Sequence, residues 1–330
     1  MIWLTWRQFR AQALIGLAAL LLVAGYLAWL GIQVHDDYRD TLAHCADRAS
    51  CAGPLGALAN RYGTAVDLLG YLLLLVPGLL GVFWGAPLVP RELEAGTQRL
   101  VWNQSVTRRR WLAVKLAVPG ALAVAVTGAY SLLLSWATGP VTGILSDRFE
   151  PVLFASRNLA PLGYAAFAFV LGTACGLLLR RTVPAMAATL VAFAVLQVLV
   201  PTVLRPHYQA PVRASVPLTA PLIGGLSMIG TYGDIAGLRV PGGPWVVSTS
   251  AILGPDGHEV GHTSWFQNCM NNSSMADLPA CLAQGNVHVD ITEQPADRYW
   301  GFQWTETSIF TALAALLALA SFRLIGRRSI

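Results

Sequence analysis

The chain has 330 residues, is 55% hydrophobic and only 12% charged, and carries a formal net charge of +5. Soluble domains hold about 25% charged residues, so this composition excludes an ordinary soluble protein and points to a membrane protein. The positive charge gathers beside apolar runs, which makes it a topology signal rather than the footprint of a nucleic-acid partner.

The opening MIWLTWRQFR places Ile2, Trp6, Phe9 and Ala13 on one helical face and Arg7, Gln8 and Arg10 elsewhere. That pattern predicts a short helix over residues 1–10, lying in the membrane interface before the chain turns into the bilayer. Uncharged apolar runs long enough to cross hydrocarbon, about 20 residues, follow at Ala11 to His35, Leu68 to Pro90, Leu116 to Ser146, Asn158 to Leu179 and Thr182 to Leu204. A charge at the centre of such a helix costs roughly 2.5–3.5 kcal/mol on insertion scales, so these runs are not accidental. A shorter run, Thr307 to Phe322, completes a sixth span, with Trp300, Phe302 and Trp304 as an aromatic belt and Arg323 snorkelling at the far end. No small-residue cleavage site follows the first run, so it is expected to be a retained span rather than a signal peptide.

Thirteen of the 22 Lys+Arg fall at the N-terminus, between spans two and three, between spans four and five, and at the C-terminus. By the positive-inside rule both termini are expected in the cytoplasm of a multi-pass protein of the cytoplasmic membrane. The expected organisation is an interfacial helix 1–10, spans one to five over 11–204, an extracytoplasmic domain 205–305, and the sixth span with its tail, 306–330. The fold class is therefore an all-α, six-span membrane protein with one partly β outside domain. In that domain the alternating stretches WVVSTSAIL and VHVDI read as strands. VPLTAPLIGGLSMIG, apolar but broken by Pro and Gly, is expected to dip into the membrane interface.

Within the spans, Gly81 and Gly85, and again Gly172 and Gly176, form G-x-x-x-G pairs that allow close helix approach; a contact between two subunits is one reading of each. Cys45 and Cys51 lie in the first outside loop, Cys269 and Cys281 in the last, and Cys175 inside span four. An oxidising exterior permits disulfides among the outside four, in any of three connectivities, of which the local pairs are the simplest.

His258-Glu259-Val260-Gly261-His262 matches the H-E-x-x-H pattern of zinc proteases, which needs a helix to bring both histidines to one ion while the glutamate activates water. The preceding Gly-Pro-Asp-Gly turn, the internal Gly261 and the β-branched Val260 and Thr263 oppose a helix. In extended chain the histidines stand about 13 Å apart, too far to share an ion. The stretch therefore predicts a hairpin with exposed histidines and no bound metal.

The segment 91–110 within RELEAGTQRLVWNQSVTRRRWLAVKL carries the functional signal. It has an acidic pair, a Gly-Thr step, an amphipathic run and a basic cluster leading to Lys115. It resembles the membrane subunits of ATP-binding-cassette exporters of the type-2 permease family over these 26 or so residues, and over the six-span layout. Glu92, Glu94, Gly96, Thr97 and Arg108 are the positions that match, and Arg91 opens the same coupling segment. The chain departs from the family at VWNQSVT, where a proline is usual, and in the length of its outside domain. The resemblance implies a dimer, homomeric or with a related permease, and a coupling helix here that docks on a separate ATPase subunit. The glutamates are then expected to meet basic groups of that partner.

Independently, a phosphate-binding loop of the form G-x-x-x-x-G-K-[ST] needs a lysine, and the only lysine, Lys115, sits in LAVKLA. The chain is thus expected to be no enzyme and to hold no cofactor, with ATP and Mg belonging to the partner. Rival readings are a proton-coupled carrier and a membrane-anchored zinc protease using His258, Glu259 and His262. Tyr71, Gln197 and Glu306 are the polar side chains a transport pathway would use, Glu306 being the only carboxylate in or at the edge of a span that could carry a proton.

Overall fold

The structure is a computed structural model that describes residues 2–45, 51–94, 107–145, 148–240, 242–274 and 276–327. The chain divides into two units: Met1–Leu145, Pro151–Arg205 and Gly301–Ile330 form the first, and Ser146–Glu150 with Pro206–Trp300 the second.

Among the described residues the first unit holds six helices long and apolar enough to cross a membrane. They are built from α1 (Ile2–Ala43), α2 (Ala52–Leu80), α4 (Arg108–Leu145), α6 (Ala160–Leu179), α7 (Thr182–Leu199) and α11 (Tyr299–Arg327), with short α3 (Pro90–Glu94) and α5 (Pro151–Ala155) between them. Helix α1 is one unbroken run of 42 residues, about 63 Å at 1.5 Å per residue. No turn follows Arg10: the residues expected as an interfacial helix run straight into the first span, whose membrane-crossing stretch begins at Arg10, with Ala13 buried. Helices α1 and α2 form an antiparallel hairpin around Leu27, Leu30, Val34, Tyr62, Val66 and Leu73, which Tyr130 and Leu134 of α4 complete. Beyond that core Tyr62 donates to Asp37 at 2.7 Å, and Cys45–Cys51 closes the tip with Cα atoms 5.4 Å apart. Leu22, Leu75, Val191 and Leu316 are among the large apolar side chains left on the outer faces, as contact with lipid requires.

Helix α6 lies at the centre, and α2 reaches it by giving up regular geometry. After Pro77 the chain passes into a π-turn at Gly81–Gly85 and a 3-10 turn at Ala86–Leu88. Gly81 and Gly85 there face the backbone of α6 at Ala168 and Phe169, while Gly172 and Gly176 of α6 face Gly81 and Ala86 in return. A Cβ on Gly81 would fall 2.5 Å from the Ala168 carbonyl oxygen, and one on Gly176 2.5 Å from that of Ala86. The two G-x-x-x-G pairs are thus used on each other within one chain. The subunit-contact reading of them is corrected accordingly.

The second unit is an antiparallel sheet in the order β1 (Val212–Pro217), β5 (His288–Gln294), β4 (Trp245–Thr249), with a two-stranded ribbon β2 (Met228–Ile229) and β3 (Ile235–Ala236). Val289 and Ile291 of the middle strand point into a core with Phe266, Leu282, Leu218 and Ile223. The last two belong to the stretch expected to dip into the membrane interface; short α8 (Ala220–Gly224) folds it into this core instead. Helices α9 (Ser264–Asn272) and α10 (Leu278–Ala283) are joined by Cys269–Cys281, Cα atoms 5.8 Å apart. Both disulfides are the local pairs, and Cys175 is free. Residues after α4 also join this unit: Phe149 stacks on Trp245 at 5.8 Å and meets Tyr299 edge-on at 5.6 Å.

Replacing Gly172 by Val puts three carbons where backbone now lies, so about 1–3 kcal/mol of stability is expected to be lost. Gly25, with nothing within 4 Å of its missing Cβ, is the control. Thermal unfolding in detergent should fall for Gly172→Val and not for Gly25→Ala. Equal midpoints for the two variants would contradict the crossing.

Candidate functional site

The chain leaves α2 through Pro87 and Pro90 and makes the five-residue α3, in which Glu92 is buried and Glu94 exposed. Glu92 Oε1 lies 2.5 Å from Lys115 Nζ, with both side chains buried. Lys115 also donates to the Leu88 carbonyl at 3.4 Å and stands 4.8 Å from the centre of the Trp111 ring. Val89, Trp111, Leu112, Leu177 and Ile325 pack together at this end and bring the turn before α3 together with α4, α6 and α11. Glu94 accepts from the backbone N–H and the hydroxyl of Thr182, each at 3.0 Å. Thr182 opens α7, where a carboxylate also meets the positive end of the helix dipole.

Glu92 is therefore buried against a cation of its own chain, whereas Glu94 is exposed while it accepts from Thr182. Left on the surface of this end are Arg91, Arg109, Arg110, Arg180, Arg181 and Arg323, with Arg108 half-buried. Gly96 and Thr97 lie outside the described residues.

The opposite end of the first unit holds a second polar cluster. Arg205 grips Glu306 with two hydrogen bonds, Nε at 2.9 Å and Nη2 at 2.8 Å, and both residues are fully buried. Tyr164 donates to the same carboxylate, and the guanidinium lies 4.1 Å from the Phe154 ring centre. Three hydrogen bonds on one carboxylate, from two residues, are what a buried charge requires. Arg157 donates to Thr142 at 2.8 Å and to Thr138 at 2.5 Å, while Gln303 accepts from the N–H groups of Leu159 and Ala160 and donates to the Phe154 carbonyl. Reading each charge as the end of a span hid these buried arginines. Of the three pathway candidates, Tyr71 is exposed on α2, Gln197 half-buried on α7 and Glu306 enclosed by Arg205 and Tyr164.

The H-E-x-x-H letters are not helical. Leu253 and Glu259 pair across the turn, Gly257 has φ +79°, and His258, Glu259 and His262 are all exposed before α9 begins at Ser264.

A family model described as "ABC-2 membrane transporter related" matches residues 17–205, which hold the first five spans, the segment with Glu92 and Glu94, and Lys115. The chain belongs to that family and is a transport permease of the membrane. Members of the ABC-2 family generally work with an ATPase partner. No curated protein and no solved structure matches the chain.

Removing one side of a buried ion pair strands the other, at about 3–5 kcal/mol, while replacing both by apolar groups is close to neutral. Arg205→Met is thus expected to lower thermal stability in detergent strongly, and Arg205→Met with Glu306→Met to restore most of it. A double variant as unstable as the single would contradict the pairing.

Proposed function

We propose that this chain is the membrane-spanning subunit of an ATP-binding-cassette exporter, that a separate subunit hydrolyses the ATP, and that segment 91–110 couples the two. The arginine-rich end is then cytoplasmic, with both termini, and the second unit lies outside. The bias of the arginines supports this orientation, as do the two disulfides, which fall in the segments that the same bias puts outside.

The observation that carries the coupling reading is the anchorage of the segment's root. A docking element transmits a push only if its base is held. Glu92 ties the base to Lys115 in α4, and Glu94 ties it to the first residue of α7. Both helices flank α6, so force on the segment is delivered to three spans together. The partner's face is acidic on this reading, since the carboxylates of the root are already engaged and arginines remain on the surface. Nucleotide and Mg belong to the partner, because the only lysine is committed to Glu92. Two such subunits, alike or related, complete the transporter. A proton-coupled carrier would need a carboxylate able to let go of its partners, and Glu306 has three donor groups on it.

Replacing residues 96–106 by a Gly-Ser linker of equal length tests this without touching either glutamate. The variant is expected to insert, form both disulfides and lose at least about tenfold of the ATPase that co-purifies with the wild-type chain. Undiminished co-purification would overturn the coupling assignment.

A further inference from the structure

The second unit contains a cleft of about 620 Å³ between the turn at Gly254–Glu259 and the helices α9 and α10, with the Cys269–Cys281 disulfide in its wall. Three features meet in it. The indole of Trp265 is half-buried and lies against Gly285, where an added Cβ would come 2.5 Å from Trp265 Cη2, so the ring is held in place by backbone. Asp256 and Glu259 stand exposed on the turn. One Asp256 oxygen accepts the His258 N–H at 3.2 Å, and neither carboxylate forms an ion pair among the described residues. Gln284 adds a neutral donor and acceptor.

The surroundings have the same sign. Residues 146–150 and 206–300 contain nine Asp+Glu against four Arg and no Lys, formally −5 in a chain of +5. A cation is therefore drawn to this unit and gains most where carboxylates and an aromatic ring line the same cleft. The donor set does not suit a metal ion: among the described residues no group of three His, Cys, Asp or Glu is placed to hold one. An organic cation needs no such cage, because its ammonium meets the carboxylates while its apolar body covers the indole.

We propose that this cleft is a binding site for an organic cation, an ammonium or guanidinium group on an apolar body, held by Asp256, Glu259 and Trp265. The site does not depend on the ATPase reading, and its test involves no partner.

The probe is benzyltrimethylammonium, titrated by calorimetry into the full-length protein in detergent micelles at low salt, with benzenesulfonate as the anion of similar size. Binding of the cation and not the anion is expected, weakening as salt is raised. Asp256→Asn with Glu259→Gln, both on an exposed turn, is expected to weaken it about tenfold, and Trp265→Leu about threefold. Retention of the Cys269–Cys281 bridge and of the thermal midpoint shows that the variants are folded. Absence of binding up to about 10 mM, equal binding of the anion, or unchanged affinity in the folded double-carboxylate variant would each overturn the proposal.

Discussion

The first unit depends on the backbone of α2 being able to touch the backbone of α6. Lipid tails are as apolar as the side chains, so no hydrophobic force drives these helices together, and contact must come from packing at short range. Four glycines and a π-turn supply it, at Gly81, Gly85, Gly172 and Gly176. The π-turn also re-aims the chain. A straight continuation of α2 would carry residues 90–94 away along the helix axis, whereas the irregular passage through Pro87 and Pro90 sets Glu92 against Lys115 and Glu94 against Thr182. The crossing and the root of the segment proposed to couple are consequences of one local distortion.

Buried charge is placed sparingly, and in both clusters it joins elements remote in sequence. Glu92 and Lys115 are separated by 23 residues, and Arg205 and Glu306 by 101. A buried pair is weak as a source of stability but strict about geometry, because misplacement leaves a charge in hydrocarbon. One pair sits at each end of the central helix, the first at the base of the segment assigned to docking and the second where α7 and α11 meet Tyr164. A change at one end that tilts α6 must be accommodated at the other.

The spans were legible because charge in lipid is costly, and five long apolar runs in a chain with few charges leave little choice. The helix ends were less so. Helix α1 continues through Asp36, Asp37 and Asp40 to Ala43, beyond the charge-free run that ended at His35. The oxidised outside cysteines and the non-helical H-E-x-x-H stretch followed from placement and turn chemistry, whereas the choice among three disulfide connectivities did not. Arg157 and Arg205 escaped notice because each stands at the end of an apolar run, where an arginine is ordinarily solvated, and only the tertiary fold turns it inward. The inward use of Glu92 was hidden for the same reason, and the role of Phe149 depends on Trp245 and Tyr299, far along the chain.

The most direct test of the account is a photoreactive amino acid at Gln104, inside segment 91–110, in protein expressed at native level in its own membrane. The coupling assignment predicts a crosslinked adduct with a separate polypeptide that binds ATP, in the wild-type background and not after Lys115→Met has released Glu92. Crosslinks to lipid alone, or a polypeptide adduct that does not bind ATP, would contradict it.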